Sequence, residues 1–566
     1  MKKHLSLIFI CLPFIGSFFS CTNINNSVSV IAVDPLIKVF RESNFEPSTA
    51  SADVARGEPA TLQFVVKSCN GIKSLSVDIK PAKSGENKLN EAKYSFVGYV
   101  NVDRGMQPQP PRDNLISLTG YFPDPLIPEK EIDVEAGQAQ PVWITIPIPS
   151  GTEPGSYTGQ IIFKGKINRT SFLISRDYTI NVYPVTVNKP RLWVTNWHSV
   201  HYARFLYGGK EVKPFSEEYW DYIEKLAKIM GEYCQNVFIV NPLNEIKFSK
   251  TGDKWKFDFT NFDKTIEIFH KAGVTGRIEG GHIAYGNQQQ TGLILHLPET
   301  DSAGVILPAR YDLSVNNPNV RNFYKQFLPA FMSHLKEKGW DKMYIQHITD
   351  EPRETVVASY LQIAQFIKSI VPGIQILDAA DRIELAGAVD IWVPILNNFA
   401  ENLDFYKGRA KAGDELWFYT CVWPQGDYLN RFIEYPLLKT RYLHWLNFRY
   451  NATGYLHWGF NQWVGDRAQG DAIDFFESTT GGLTMTQPAG DDYIVYPYKG
   501  QIISSIRLEA MRDGLYDYEL LKMYEEKDSA AAEKICSERI EDFYHYDLSV
   551  PAFRQIRKTL LENLSK

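Results

Sequence analysis

From Arg191 to the C-terminus, short apolar runs alternate with longer amphipathic stretches, and this alternation constrains the fold more than any other feature of the chain. RLWVTNWH precedes a helical pattern at SEEYWDYIEKLAKIMGEY, and NVFIV precedes FDKTIEIFHKAG after a hairpin-like insertion. GRIEGGH leads through a long insertion to VRNFYKQFLPAFMSHLKEKG, and MYIQHITDEP leads to TVVASYLQIAQFIKSI. IQILDA has only a weak helix near RIELA after it, while DIWVPIL precedes NLDFYKGRAKAG. ELWFYTC precedes PLLKTRYLHWLNFRYN, and GYLHWGF is followed, after a long loop, by IISSIRLEAMRDGLYDYELLKMYEE. Periods of two and of 3.6 residues taking turns mean strand then helix. Eight such units predict a (β/α)8 TIM-type barrel over 191–566.

The preceding stretch, 21–190, reads differently. TLQFVVKS, SLSVDIK, YSFVGYV, PVWITIPIP, TGQIIFKG and RDYTINVYPV are short alternating runs punctuated by Gly, Pro, Asn and Asp. Strands at this spacing without helices between them predict an N-terminal β-sandwich. Residues 1–20 carry Lys2 and Lys3, then the apolar LSLIFICLPFIGSFF, then Ser20 before Cys21. This resembles a bacterial lipoprotein signal with lipid attachment at Cys21. It places the chain in the cell envelope, periplasmic or at the outer-membrane surface, with secretion as the alternative. The lipid would be its one contact with a membrane, because no later apolar run reaches the ~20 residues that a span needs. Cys69, Cys234, Cys421 and Cys536 lie far apart with no metal-binding spacing, and are expected to be buried free thiols. The net charge of −6 has no polybasic block behind it, which argues against a nucleic-acid partner.

Barrel enzymes work at the C-terminal ends of their strands. At the end of the fourth predicted strand stand two adjacent acids, Asp350 and Glu351, followed by Pro352. Adjacent acids before proline are usually a solvated turn; at the mouth of a barrel they become a candidate catalytic pair. Pro352 is expected to hold Glu351 extended. Two close carboxyls repel, so one pKa should rise and leave a proton available near neutrality. Carboxylates that flank a glycosidic bond normally come from different strands, a poor match to sequence neighbours. Adjacency suits a substrate-assisted route better: a 2-acetamido group attacks its own anomeric carbon, one carboxylate steadies that group, and the other moves the proton. The residues alone leave the roles and the sugar open.

Late aromatics fit a sugar substrate, since flat rings pack on the apolar face of a pyranose. Tyr419 and Trp423 follow the seventh strand, and Trp458, Asn461 and Trp463 follow the eighth. These five, with His201 after strand one and His282 after strand three, are the candidate substrate-binding residues; His347 is expected to be a core histidine. Asp491, Asp492 and Tyr493 are candidate rim contacts, and Arg507, Glu509, Arg512, Asp513 and Asp517 look like an ion-paired helix. No histidine spacing suggests a metal, and neither metal nor cofactor is expected.

TDEP at 349–352, GYFPDPLIP at 120–128, FDFTNFDKTIEIFHKAG, LWFYTCVWPQG, GYLHWGFNQW and RLEAMRDGLYDYELL together resemble glycoside hydrolase family 123. The resemblance begins near ARGEPATLQFVV and runs through nearly all of the remaining chain. It implies a retaining exo-β-N-acetylgalactosaminidase with a β-sandwich, a (β/α)8 barrel and substrate assistance. It also implies that Asp350 stabilises the acetamido group and that Glu351 is the general acid/base, acting on a glycan or glycolipid with terminal β-linked N-acetylgalactosamine. The alternatives are a β-N-acetylglucosaminidase or other 2-acetamido-sugar hydrolase, and a catalytically silent carbohydrate-binding surface lipoprotein.

Overall fold

The computed structural model describes residues 28–566 apart from 43, 90, 103–118, 288, 301–305 and 464–487. The predicted signal segment 1–20 and Cys21 lie outside the described residues. No helix among the described residues is long and apolar enough to cross a membrane.

The N-terminal part is two facing sheets. One orders its strands Val28–Val33, Ala60–Ser68, Ala139–Ile146, Lys93–Val102 and Gly120–Ile127, all antiparallel. The other runs Ser51–Arg56, Thr170–Thr186, Gly155–Ile167, Ile72–Ser84 and Asn87–Leu89. The longest hairpin turns at Asn168 and Arg169, both at positive φ (47° and 76°). That is the backbone a tight two-residue hairpin demands, and Asn tolerates it well. Alternate residues point inward and meet between the sheets, with Phe64 and Phe163 rings 5.6 Å apart.

The C-terminal part contains eight short parallel strands in chain order: β1 (Trp193–Asn196), β2 (Val237–Val240), β3 (Arg277–Gly280), β4 (Tyr344–Gln346), β5 (Leu377–Asp378), β6 (Ile391–Trp392), β7 (Glu415–Tyr419) and β8 (Gly454–His457). Their ladders form two arcs. One orders β1, β8, β7, β6 and β5; the other orders β2, β3 and β4. A parallel bridge between Gln346 and Ile376 joins the arcs at one side. At the other side no ladder links β1 to β2. The Asn236 carboxamide stands in, accepting from Val194 N–H at 2.9 Å and donating to Leu192 C=O at 2.8 Å. The fold is therefore a mixed β and α/β one, with the eight parallel strands in two arcs whose ladders join at one side. Strands of two to five residues end their pairing early, and side-chain hydrogen bonds span the gap. The weak helix predicted near residue 384 is one 3-10 turn, Ile383–Leu385.

Helices cover this sheet. In Leu437–Tyr450 every residue from Leu437 to Phe448 is buried, charged ones included. A helix enclosed on all sides must satisfy its polar groups internally. Arg441 does so by pairing with Asp517 at 2.6 Å, on the long helix Ile506–Lys527. That helix carries the expected ion pairs, Arg512 with Glu509 at 2.8 Å and with Asp513 at 2.7 Å.

Ion pairs also tie the two parts together. Asp124, on the strand Gly120–Ile127, meets Arg507 at 2.9 Å with both side chains fully enclosed. Glu58 meets Arg557 at 2.6 Å, and Asp34 meets Arg554 at 2.8 Å. Cys234, Cys421 and Cys536 are free thiols as expected. Cys69 is not: it is disulfide-bonded.

Candidate active site

The Asp350–Glu351 pair sits farther from its strand than the sequence suggested. The β4 ladder stops at Gln346, and both acids lie in the loop that follows. Nor is Glu351 extended: its φ is +40°. A left-handed backbone is costly for a residue other than glycine, and a following proline does not prevent it here. The consequence answers the difficulty of two neighbouring acids. Alternation would send their side chains to opposite faces, and a positive φ breaks that alternation. The Tyr419 hydroxyl, from the end of β7, donates to Glu351 Oε1.

Asp350 is open to solvent on one side, yet protein crowds the rest of its carboxyl. That desolvation, reinforced by the charge of Glu351, pushes its pKa up to about 7. Asp350 thus retains its proton close to neutrality.

Beneath Asp350 lies a buried network that the sequence did not reveal. His347 is fully enclosed, with Nδ1 3.0 Å from Asp378 Oδ1 and Nε2 3.6 Å from Glu279 Oε1. Burial alone would depress the imidazolium, but the hydrogen bond to Asp378 and the nearby Glu279 carboxylate outweigh it and push its pKa up to about 9. Asp378, from β5, also accepts from Ile348 N–H at 3.0 Å and from the Tyr360 hydroxyl at 2.6 Å. Glu279, from β3, accepts from Thr195 Oγ1 at 2.8 Å and from Trp197 Nε1 at 3.1 Å. The expectation of a plain core histidine is right for burial and incomplete for charge. Glu279 and Asp378 were both legible as acids at strand ends, the same signal that singled out Asp350.

The His282 ring stands edge-on to Trp197 at 5.4 Å and lies 4.9 Å from the His347 ring. Burial holds its pKa well below the usual value. His282, His347 and Asp378 bring possible ligand atoms within 4.8 Å of one another. Asp378 already gives both oxygens to Ile348, Tyr360 and His347. The group therefore reads as a hydrogen-bonded ion network rather than a metal centre.

The other candidates divide. Trp458 is half-buried and donates from Nε1 to Asp491 Oδ2 at 2.9 Å. Trp423, preceding the cis peptide to Pro424, is 41% exposed, a large aromatic face left open. His201 is exposed on the turn after β1. Asn461 is enclosed. Fully buried, it accepts from Ser199 N–H at 2.8 Å and donates to Ser199 C=O at 2.9 Å and to the Tyr222 hydroxyl. Trp463 is likewise enclosed, donating to Val495 C=O at 2.9 Å, with its ring edge-on to Phe205. Both lie beyond β8 as expected, but the chain turns inward there and uses them for packing. Asp491, Asp492 and Tyr493 are buried as well, not at the rim. Asp491 lies 3.3 Å from His457 Nε2 and steadies Trp458. His457 Nδ1 accepts from Gly459 N–H at 3.1 Å, so its proton is on Nε2, facing Asp491.

Residues 202–524 match the family model described as the glycoside hydrolase 123 catalytic domain, and residues 40–165 match the glycoside hydrolase 123 N-terminal domain. Among solved structures, a family 123 glycoside hydrolase from Clostridium perfringens, described in connection with glycolipid glycan hydrolysis, superposes with a TM-score of 0.69 at 17% identity. The match covers 95% of this chain and 97% of that one. A β-glucuronidase from Bacteroides uniformis (TM-score 0.28, 9% identity, 83% and 51% covered) and a family 5 mannosidase from Rhizomucor miehei (TM-score 0.30, 13% identity, 60% and 94% covered) are too distant to bear on the fold. No curated protein matches. Two family models, and a fold match that covers nearly all of both chains, lead to one statement: the chain is a glycosidase that belongs to glycoside hydrolase family 123.

Proposed function

We propose that this glycosidase is a retaining exo-β-N-acetylgalactosaminidase that uses the 2-acetamido group of its substrate as nucleophile. The observation that carries the reading is the adjacency of Asp350 and Glu351 on one loop, with the left-handed backbone at Glu351. Two-sided displacement wants carboxyl groups about 5–5.5 Å or 6.5–9.5 Å apart across the bond, and substrate-assisted families are the recognised exception.

In the first step the acetamido carbonyl oxygen attacks C1, the glycosidic C–O bond breaks, and Glu351 gives its proton to the departing oxygen. Asp350, as carboxylate, accepts the acetamido N–H and offsets the positive charge that develops on the oxazolinium ring. In the second step Glu351 takes a proton from water, the water oxygen attacks C1, and the ring reopens with the β configuration retained. One proton per pair suffices throughout. In the free protein it rests on Asp350; once the acetamido N–H arrives, Glu351 carries it. Trp423 and Trp458 offer faces for the sugar. The C. perfringens relative favours a glycolipid glycan as the natural substrate. The N-terminal segment favours a lipid-anchored envelope protein, and the eight parallel strands in two bridged arcs favour a (β/α)8 barrel.

The test is hydrolysis of aryl β-N-acetylgalactosaminide, β-N-acetylglucosaminide and plain β-galactoside. Turnover of the first alone is expected. Equal turnover of the galactoside overturns substrate assistance, preference for the glucosaminide overturns the sugar assignment, and glycan binding without any turnover points to a silent lectin. Tyr419→Phe removes the hydroxyl that donates to Glu351. A hydrogen bond to a charged group is worth about 1.5–3 kcal/mol, so kcat should fall about 10- to 100-fold with KM nearly unchanged.

A further inference from the structure

His347 is enclosed between two carboxylates that come from different strands, Glu279 on β3 and Asp378 on β5, and its own segment runs three residues on to Asp350. An imidazole with an acid at each nitrogen cannot serve both as a neutral ring, which has one N–H to give. Each acid is itself fixed from elsewhere: Glu279 by Thr195 and Trp197, Asp378 by Ile348 N–H and Tyr360. The ring is flanked by Trp197 at 5.5 Å and His282 at 4.9 Å, both nearly or partly edge-on. Nothing in this packing lets the imidazole turn away.

We propose that His347, held as an imidazolium between Glu279 and Asp378, is a positioning residue for the reaction. Its fixed positive charge under Asp350 sets the pH range over which the Asp350–Glu351 pair carries the single proton that catalysis needs. The inference rests on the reading above, that this pair is the catalytic one.

The charged and titratable groups around the pair are few. His347 attracts the Asp350 carboxylate, while Glu351 and Asp378 oppose it. Tyr419 and Cys421, from the end of β7, face the two acids, and burial raises both so that they stay neutral. His282 is kept uncharged by its burial. His347 is thus the one cation bearing on Asp350 among the described residues. Without it, the Asp350 carboxyl keeps its proton to higher pH. An opposite charge within about 4–6 Å shifts a carboxyl by about one to three units.

The pH profile of kcat/KM on aryl β-N-acetylgalactosaminide, for wild type and His347→Gln, tests this. The limb set by Asp350 is expected to move up by about one unit in the variant, so that its activity at pH 8 relative to pH 6 rises roughly tenfold over wild type. Reduced activity with unmoved limbs overturns the proposal and makes His347 merely structural. A second measurement needs no variant. With 15N-labelled histidine, the wild-type protein should show an imidazolium that persists at pH 8, and its absence overturns the proposal whether or not the variant folds. Failure of wild type to hydrolyse any acetamido sugar would count against the function itself, separately from the state of His347.

Discussion

Glu351→Gln is expected to remove nearly all turnover of aryl β-N-acetylgalactosaminide while leaving the fold intact. Gln has the same shape, takes the same backbone, and still accepts from the Tyr419 hydroxyl. What it lacks is the proton for the departing oxygen in the first step and the base for water in the second. General acid–base catalysis contributes about 10²–10⁴-fold, and kcat should drop by that order. The loss should be larger for an alkyl or sugar aglycone, which needs protonation, than for a good phenolate leaving group. Asp350→Asn separates the other role. Asparagine keeps the volume but cannot counter the charge of the oxazolinium, so acetamido substrates should slow strongly. Normal activity in Asp350→Asn would remove that residue from the mechanism, and full activity in Glu351→Gln would remove the pair.

A second large effect is structural. Asp517 is fully buried on the helix Ile506–Lys527 and accepts from Arg441 at 2.6 Å, Arg557 at 2.7 Å and Trp445 Nε1 at 3.0 Å. Burial alone would raise its pKa, but Arg441 and Arg557 outweigh it and hold it at about 2. Asp517→Ala strands two buried guanidinium groups, of which Arg557 keeps Glu58 and Arg441 keeps the longer contact to Asp513. Breaking a buried pair costs about 3–5 kcal/mol, so the urea midpoint at pH 7 should fall accordingly. The sign with pH follows from the depressed value. Above the ordinary carboxylate pKa the contribution is present in full, and it disappears as pH falls from about 4 to about 2. Wild type should lose about 2 kcal/mol across that window from this group, and Asp517→Ala should lose none of it. Equal urea midpoints at pH 7 would show that the surrounding arginines find other partners at no cost.

Periodicity exposed the division into an all-β part and an alternating part, because a strand with one buried face and a helix with one buried stripe each leave a repeating mark. It did not expose which strands pair. The gap between β1 and β2 is closed by the side chain of Asn236, a contact with no periodic trace. The strand-end rule found Asp350 and Glu351 and, applied to the other strands, would also have found Glu279 and Asp378. It also singled out Asn461 and Trp463, which are enclosed, since a residue beyond a strand end can turn down into packed protein as readily as up toward a ligand. The left-handed backbone at Glu351 was hidden for a different reason. Proline biases its predecessor toward extended conformations, and only the surrounding fold overrides that bias. Family resemblance, not spacing, separated the roles of the two acids.

The contact of Asp124 with Arg507 reaches beyond stability. Arg507 Nη1 donates to Arg431 C=O at 2.9 Å and to Gly490 C=O at 2.7 Å, and Nη2 donates to Tyr493 C=O at 2.9 Å. Gly490 has φ +77°, and a Cβ there would come within 2.6 Å of Arg507 Nη1, so the loop can close on the guanidinium only with glycine. That loop carries Asp491, which in turn holds the Trp458 indole. A carboxylate of the β-rich part therefore fixes, through one arginine, the backbone on which a candidate sugar-facing aromatic depends. The two-sheet part acts as a jig for the half that carries Asp350 and Glu351, and its removal would leave Arg507 buried without its carboxylate.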